Sequence, residues 1–371
     1  MNAFILLFFC FTVNSDIFQS LSVTFKQFAL FPKPFEAVQS TGLNAILIQN
    51  LIFTALQVSI LINAYWCYKM WTYHNNYYIE KDHPFIFGIG GDSGVGKSTL
   101  AMNLGKVTGK ENLIILSGDD AHKWERKDKN WKLYTHLNPI ANKIHTDAEH
   151  LYALIDGKTI ERVSYNHKTG KFSKPQQLSK NQFILFQGLH PFILENLRPI
   201  YDLKIYIEAE EKLRVIWKIN RDSKKRGYSK AKIKQQLKKR KDDAKKFIYP
   251  QKQFADWIIR YELIDNSLKV ISKFKNSIPL DSLIKELRGI KTLKITHNYV
   301  DMNYHEISYK GIIKKNDVEK IAYKLYPDIY ELLNYYPSFK SDIKGIQQLL
   351  FINYLNYYYS QKVKNNERFY L

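Results

Sequence analysis

Cysteine is nearly absent from this chain. Cys10 and Cys67 are the only two among 371 residues, and both lie in apolar stretches. That argues against a disulfide framework and fits a reducing compartment. Neither cysteine is near the glycine-rich loop described below, so a thiol switch at that loop has no basis. Zinc-type Cys/His spacing, an aromatic–basic nucleic-acid module and a solenoid period are also missing. Direct nucleic-acid binding is therefore not expected. Acidic residues are few beside basic ones, 35 against 56, which leaves a formal charge of +21. That sign suits phosphorylated ligands or an anionic membrane face, although most of the lysines read as solvated surface. The length allows one large or two ordinary domains.

Charge itself is missing between Glu36 and Lys69. Residues 43–68 are long enough to cross a bilayer, which needs about 20 residues. Tyr65, Trp66, Tyr68 and Trp71 sit at one end like an interfacial belt. The apolar run 4–13 is short for a span and lacks the basic region of a signal peptide. The expectation is an N-terminal hydrophobic segment, 1–80, whose helices form a membrane anchor at 43–68. Two other readings stay open: a helix docked on the following domain, or an upstream extension with Met70 as the working start. The anchor reading places the remainder in the cytoplasm, and Lys69 and Lys81 agree with the positive-inside tendency.

What is present is a complete phosphate loop. Gly91-Asp92-Ser93-Gly94-Val95-Gly96-Lys97-Ser98 fits G-x-x-x-x-G-K-[ST], with Thr99 following. The glycines permit a tight turn that aims N–H groups at phosphate oxygens. Lys97 reaches the β- and γ-phosphates, and the Ser98 hydroxyl suits Mg²⁺. An apolar run at 84–89 precedes the loop, and a helix-favouring run follows with Leu100 and Leu104 four apart. Further short apolar runs at 113–116, 183–186, 203–207 and 257–259 alternate with helical stretches, notably 209–226 and 229–246. This pattern predicts an α/β fold with a doubly wound, mostly parallel sheet over 81–265, whose ligands bind beyond the strand C-termini. From about 268 the pattern changes. Residues 292–296 and 304–309 alternate like antiparallel strands, and 317–325 and 342–359 read as helices, giving a C-terminal α+β extension over 266–371.

Chemistry-bearing residues cluster at the predicted strand ends. Asp119 and Asp120 follow the second strand; in an extended chain only one of them faces the triphosphate. A carboxylate there can accept a proton from an attacking hydroxyl or hold Mg²⁺ through water. His122 and Arg126, four apart, would share a helical face and suit a phosphorylated acceptor. Lys218, Arg221, Asp222 and Lys225 make a polar stripe opposite Leu213, Ile216 and Trp217, and Arg226-Gly227 ends that helix.

Several segments occur together in one order: Gly118-Asp-Asp-Ala-His122 with Arg126; Leu137-Asn-Pro-Ile-Ala-Asn142; Tyr165-Asn-His-Lys-Thr-Gly170; Gly188-Leu-His-Pro191; Trp217-Lys-Ile-Asn-Arg-Asp222; Arg226-Gly227; and Pro250-Gln-Lys-Gln-Phe-Ala-Asp256. With the phosphate loop they resemble the phosphoribulokinase and uridine kinase family, the phosphoribulokinase branch most closely. The resemblance is strong over about half the chain and excludes the first eighty residues. It implies a P-loop kinase fold and MgATP-dependent phosphorylation of a sugar-phosphate hydroxyl, D-ribulose 5-phosphate being the family substrate. By position it implies Asp119 as general base and Gly91 to Thr99 as the ATP and Mg²⁺ cradle, with Ser98 and Asp119 toward the metal. His122, Arg126, His167, His190, Lys218, Arg221 and Arg226 become acceptor or phosphate contacts, and Lys97 and Asp222 help complete the catalytic site.

The chain departs from the family at Gln187, where the family has a metal-associated Glu. It departs again at Ala121, where an aromatic residue is usual. The departures keep two alternatives in view: a uridine-kinase-like nucleoside or sugar kinase, and a membrane-tethered ATP-binding pseudokinase. The acceptor, the regulation and the oligomeric state, a homo-oligomer included, stay open.

Overall fold

The computed structural model describes residues 54, 57–67, 83–265 and 267–369, with side chains up to 362 except those of 225 and 226. The chain divides into two compact units, Met1–Asn75 and Asn76–Leu371. In the first, residues 57–67 are helical and exposed. Most of the expected anchor at 43–68, and the run at 4–13, lie outside the described residues. Among the described residues no helix is long and apolar enough to cross a membrane.

The second unit is built on one eight-stranded sheet, and the element labels below refer to this unit. β1 (Phe85–Gly91) lies at its centre between β7 (Phe183–Gln187) and β8 (Leu203–Ala209). β2 (Leu113–Ser117) flanks β7, and β9 (Trp257–Ile264) flanks β8, all in parallel. The five apolar runs read from the sequence are these five strands. β1 and β7 alternate their contacts between two cores. Phe85, Phe87 and Ile89, with Phe183 and Leu185, face one side. Ile86, Ile184 and Phe186 face the other. A strand buried on both faces must be apolar throughout, which is why these segments read as continuous runs.

Helices cover both faces. On the first, α1 (Lys97–Thr108) contributes Leu100, Leu104 and Val107, and the long α8 (Asp342–Phe369) contributes Leu349, Leu350 and Phe351. On the second, α2 (Ile144–Ile155) presents Ala148, Leu151 and Leu154 at helical spacing. Between α2 and β7 run the short strands β3 (Ile160–Arg162), β4 (Tyr165–Asn166), β5 (Lys171–Phe172) and β6 (Gln176–Leu178), paired as β3–β6 and β4–β5.

Two helices follow β8: α3 (Glu211–Arg226), stopped by Gly227 in the left-handed region, and α4 (Lys230–Asp243), capped by the Ser229 hydroxyl. β9 then turns back into β10 (Ser267–Lys275). After α5 (Asp281–Arg288), β11 (Leu293–Tyr299) and β12 (Tyr304–Gly311) complete the order β11-β12-β10-β9-β8-β1-β7-β2. The antiparallel strands after 266 therefore continue the parallel sheet. α6 (Lys315–Leu325) and the short α7 (Ile329–Leu333) lead into α8.

Register places the site. Gln187, the last residue of β7, pairs with Ile89 on one side and with Ser117 on the other. The loop that follows β1 and the turn that follows β2 thus emerge on either side of Gln187.

Candidate active site

The phosphate loop joins β1 to α1. Gly94 has φ +93°, and a Cβ there would lie 3.0 Å from the side chain of Lys218, so α3 rests directly on the loop. Lys97 Nζ donates to the carbonyls of Gly91 (2.8 Å) and Asp92 (2.9 Å). Burial lowers its pKa to about 8, against the opposing charges of Asp119 and Asp92. Ser98 and Thr99 stand exposed in the first turn of α1, where backbone N–H groups and the helix dipole favour an anion. Val95 is instead buried in the core, and Asp92 is turned away to an ion pair with Arg214 (2.8 Å).

Two members of the polar stripe of α3 point inward rather than to a solvated face. Lys218 and Asp222 are fully buried, whereas Ile216 is half exposed. Lys218 Nζ donates to Ser93 Oγ (3.0 Å) and pairs with Asp222 (3.2 Å). Arg221 donates to Asp222 Oδ1 (2.8 Å) and to Ser93 Oγ (3.4 Å). Burial first, then the nearby Arg240 charge, brings the Lys218 pKa down to about 7. Arg226 is the last residue of α3, and its side chain lies outside the described residues. Arg214, four residues before Lys218, belongs to the same stripe. The i, i+4 spacing was a signal for it that the site list above leaves out.

After β2 the chain does not stay extended. Gly118–Ala121 form a 3-10 turn, closed by the Ser117 hydroxyl accepting from the Asp119 N–H. The two acids still diverge. Asp119 Oδ2 meets His167 Nε2 at 3.0 Å, and its Oδ1 lies 3.6 Å from His122 Nε2. Asp120 turns toward buried Arg162 and accepts from the Tyr165 N–H (2.7 Å). Burial pushes the Asp119 carboxyl up. The His167 hydrogen bond and the charges of His122, His167 and Lys97 outweigh it and hold the group well below the ordinary range. The mutual influence of Lys97 and Asp119 puts this carboxylate in electrical contact with the phosphate loop.

His122 and Arg126 do not share a helical face. His122 enters an isolated antiparallel bridge with Asn142, which pulls residues 122–126 out of helix. Arg126 donates to the carbonyls of His167 and of Lys168 (3.0 Å), bracing the β4–β5 hairpin that carries His167. Gly170, at φ +77°, gives Arg126 the room to do so, since a Cβ would lie 2.4 Å from its side chain. His190 is buried, with its ring on the Leu137 carbonyl (2.8 Å). Burial lowers its pKa to about 4. At neutral pH the ring is therefore uncharged.

Lys218, Arg214 and Tyr249 line a cavity of about 470 Å³ beside Asp92 and Ser93, to which Lys238, Arg240 and Lys241 of α4 also contribute. α4 and its end are tied to the segment after Asp119. Asp243 accepts from Thr135 Oγ1 (2.6 Å) and Asn138 Nδ2 (3.3 Å), and Lys239 donates to the Lys132 carbonyl (2.7 Å).

No cluster of three or more His, Cys, Asp or Glu that could hold a metal occurs among the described residues. That does not conflict with Mg²⁺, which is commonly held by one or two carboxylates plus substrate phosphates. The donor set fits: Ser98 at the head of α1, ionised Asp119, and Gln187, whose buried Oε1 accepts no hydrogen bond within the described structure.

A central parallel sheet with this loop, and helices on both faces, defines a P-loop fold. Residues 86–264, just under half of the chain, match the model of the Phosphoribulokinase / Uridine kinase family. Phosphoribulokinase of Synechocystis sp. is 34% identical over 181 residues, 49% of this chain and 54% of the relative. The chain thus aligns with about half the length of that relative. A uridine kinase of Halalkalibacterium halodurans is 26% identical across 56% of this chain and 95% of its own length. The solved phosphoribulokinase from Rhodobacter spheroides superposes with TM-score 0.51 at 19% identity, covering 68% of this chain and 98% of that one, a likeness of fold.

Proposed function

We propose that the protein transfers the γ-phosphoryl group of MgATP to a hydroxyl of a small phosphorylated sugar, in the manner of a phosphoribulokinase acting on D-ribulose 5-phosphate. The observation that carries this reading is an ionised Asp119, oriented by His167 and coupled to Lys97 of the phosphate loop.

The loop N–H groups and the start of α1 take up the triphosphate. Lys97 exchanges its contacts with Gly91 and Asp92 carbonyls for phosphate oxygens. Ser98, Asp119 and Gln187 are the residues that would hold Mg²⁺, which when bound would neutralise charge on the phosphates. Asp119 accepts the hydroxyl proton as the new O–P bond forms. Arg221, on Ser93 beside Lys218, supplies positive charge where the transferring group passes. His167 and Arg221 are each about a third or more exposed and are therefore the residues an acceptor can reach.

The test is direct. The full chain is assayed with MgATP against ribulose 5-phosphate, uridine and related pentoses. Asp119→Asn is expected to lower kcat by roughly 10²–10⁴, while ATP binding survives. Loss of ATP binding in that variant would make Asp119 structural. Preference for uridine would move the protein to the nucleoside branch, a reading favoured by the near-complete coverage of the uridine kinase relative. The pseudokinase reading rests on Gln187 alone and gains nothing from the comparisons. A membrane tether through 43–68 is a separate proposal carried by composition.

A further inference from the structure

Arg162, the last residue of β3, is buried, and its guanidinium ties β3 to three other elements behind the turn that carries Asp119. Nη2 donates to the Ser117 carbonyl at the end of β2 (2.7 Å) and lies 2.8 Å from Asp147 Oδ1 of α2. Nη1 donates to His150 Nδ1 (3.0 Å), one turn further along α2. Nε makes no hydrogen bond within the described structure and faces Asp120 Oδ2 as an ion pair at 3.7 Å. A guanidinium is always charged and offers its N–H groups in one rigid plane. A lysine has a single nitrogen and cannot meet all these partners at once.

Asp120 passes this hold on. Its Oδ1 accepts from the N–H of Tyr165, the first residue of β4 (2.7 Å). Two residues later, His167 Nε2 meets Asp119 Oδ2 at 3.0 Å. Ser117, gripped through its carbonyl, also receives the Asp119 N–H on its hydroxyl (3.3 Å). Both sides of the Asp119–His167 contact are thus anchored to one buried group. The acid is anchored through Ser117 and Asp120, the imidazole through Asp120 and Tyr165. With side chains only 6% and 14% exposed, Arg162 and Asp120 act on the site from behind.

We propose that Arg162 is a positioning residue for phosphoryl transfer: by holding Ser117 and Asp120 it fixes Asp119 and His167 against each other. The role in transfer rests on the kinase reading; the hold on Tyr165 through Asp120 does not. Without the planar guanidinium, Asp120 turns, β4 shifts against the 3-10 turn, and Asp119 loses the orientation in which it meets the acceptor hydroxyl. The loss falls on kcat rather than on ATP binding, since none of the partners of Arg162 named above belongs to the phosphate loop.

The experiment compares the full chain with its Arg162→Lys variant, which keeps the charge and loses the planar array of donors. Turnover of MgATP with ribulose 5-phosphate is normalised to folded protein, and hydrogen exchange of the Tyr165 amide is read by mass spectrometry on short peptides. In the variant kcat should fall by roughly tenfold, with the KM for ATP within about twofold. The Tyr165 amide should exchange roughly tenfold faster. Adding Arg162→Lys to His167→Gln should cost little more in kcat than His167→Gln alone, because both act through one contact. Unchanged kcat or unchanged exchange in Arg162→Lys overturns the proposal. So does a double variant whose losses multiply, the mark of a group that only supports the fold. If Arg162→Lys does not fold, Asp120→Asn keeps an acceptor for the Tyr165 N–H and removes the charge facing Arg162; it should lower kcat in the same way, and normal turnover there overturns the proposal equally. A wild type that phosphorylates no sugar phosphate sinks the kinase reading and the role in transfer together, whatever the exchange shows. Normal transfer by both the wild type and Arg162→Lys sinks the positioning role alone.

Discussion

Replacing Arg214 by methionine isolates the contact that holds the phosphate loop in shape. Arg214 Nη1 and Asp92 Oδ2 are 2.8 Å apart, with side chains only 9% and 8% exposed. At an effective dielectric constant near 20 their attraction is about 6 kcal/mol, most of it offset by the cost of taking both ions out of water. The intact pair therefore adds little net stability. Breaking it is another matter, because the Asp92 carboxylate stays buried among Val95, Tyr206 and Tyr249. Arg214→Met should lose about 3–5 kcal/mol of unfolding free energy. Asp92→Asn with Arg214→Met should recover most of that loss, leaving a deficit of about 1–2 kcal/mol. The exposed arm of the same guanidinium, to Glu211, contributes about 0–1 kcal/mol and does not obscure the result. Urea unfolding followed by tryptophan fluorescence reads stability, and nucleotide titration of the same samples reads the loop. Nucleotide affinity should fall with the single change and return with the double one. If Arg214→Met unfolds at the wild-type urea concentration, or the double variant is the weaker, the buried pair is not what shapes the loop.

Other outcomes follow from single groups. Burial keeps His190 neutral, with its pKa lowered from 6.5 to about 4. The unfolded chain therefore takes up a proton that the folded chain refuses. The stability from this group is intact above pH 6.5 and is lost as pH falls toward 4, a total of about 3 kcal/mol that His190→Gln should flatten in urea unfolding curves. Gln187→Glu places a charge between the phosphate loop and Asp119. It should lower the Mg²⁺ concentration for half-maximal nucleotide binding by roughly tenfold, and an unchanged requirement would remove Gln187 from the metal's surroundings.

The parallel core was legible because doubly buried strands are apolar without interruption, as at 183–186, and the phosphate loop because its glycines and lysine are contiguous. β10 was not. Its residues alternate Lys269, Val270, Ile271, Ser272 and Lys273, and the tight turn around Asp265 left no long loop to mark a new strand. The resemblance, and not the spacing, singled out Asp119 over Asp120, and the two acids diverge through a 3-10 turn rather than an extended chain. The helical pairing of His122 with Arg126 failed for a long-range reason. A backbone bridge to Asn142, twenty residues away, overrides local propensity, and no pattern within 118–126 records it. Lys218 and Asp222 read as a charged stripe because periodicity reports which residues share a face, not whether that face meets water.

Asp243 and Lys239 fasten α4 to the segment around Thr135, while neighbouring residues of the same helix wall the cavity above Ser93. A displacement of α4 would therefore break its hold on Thr135 and rebuild one wall of the cavity beside Ser93 together.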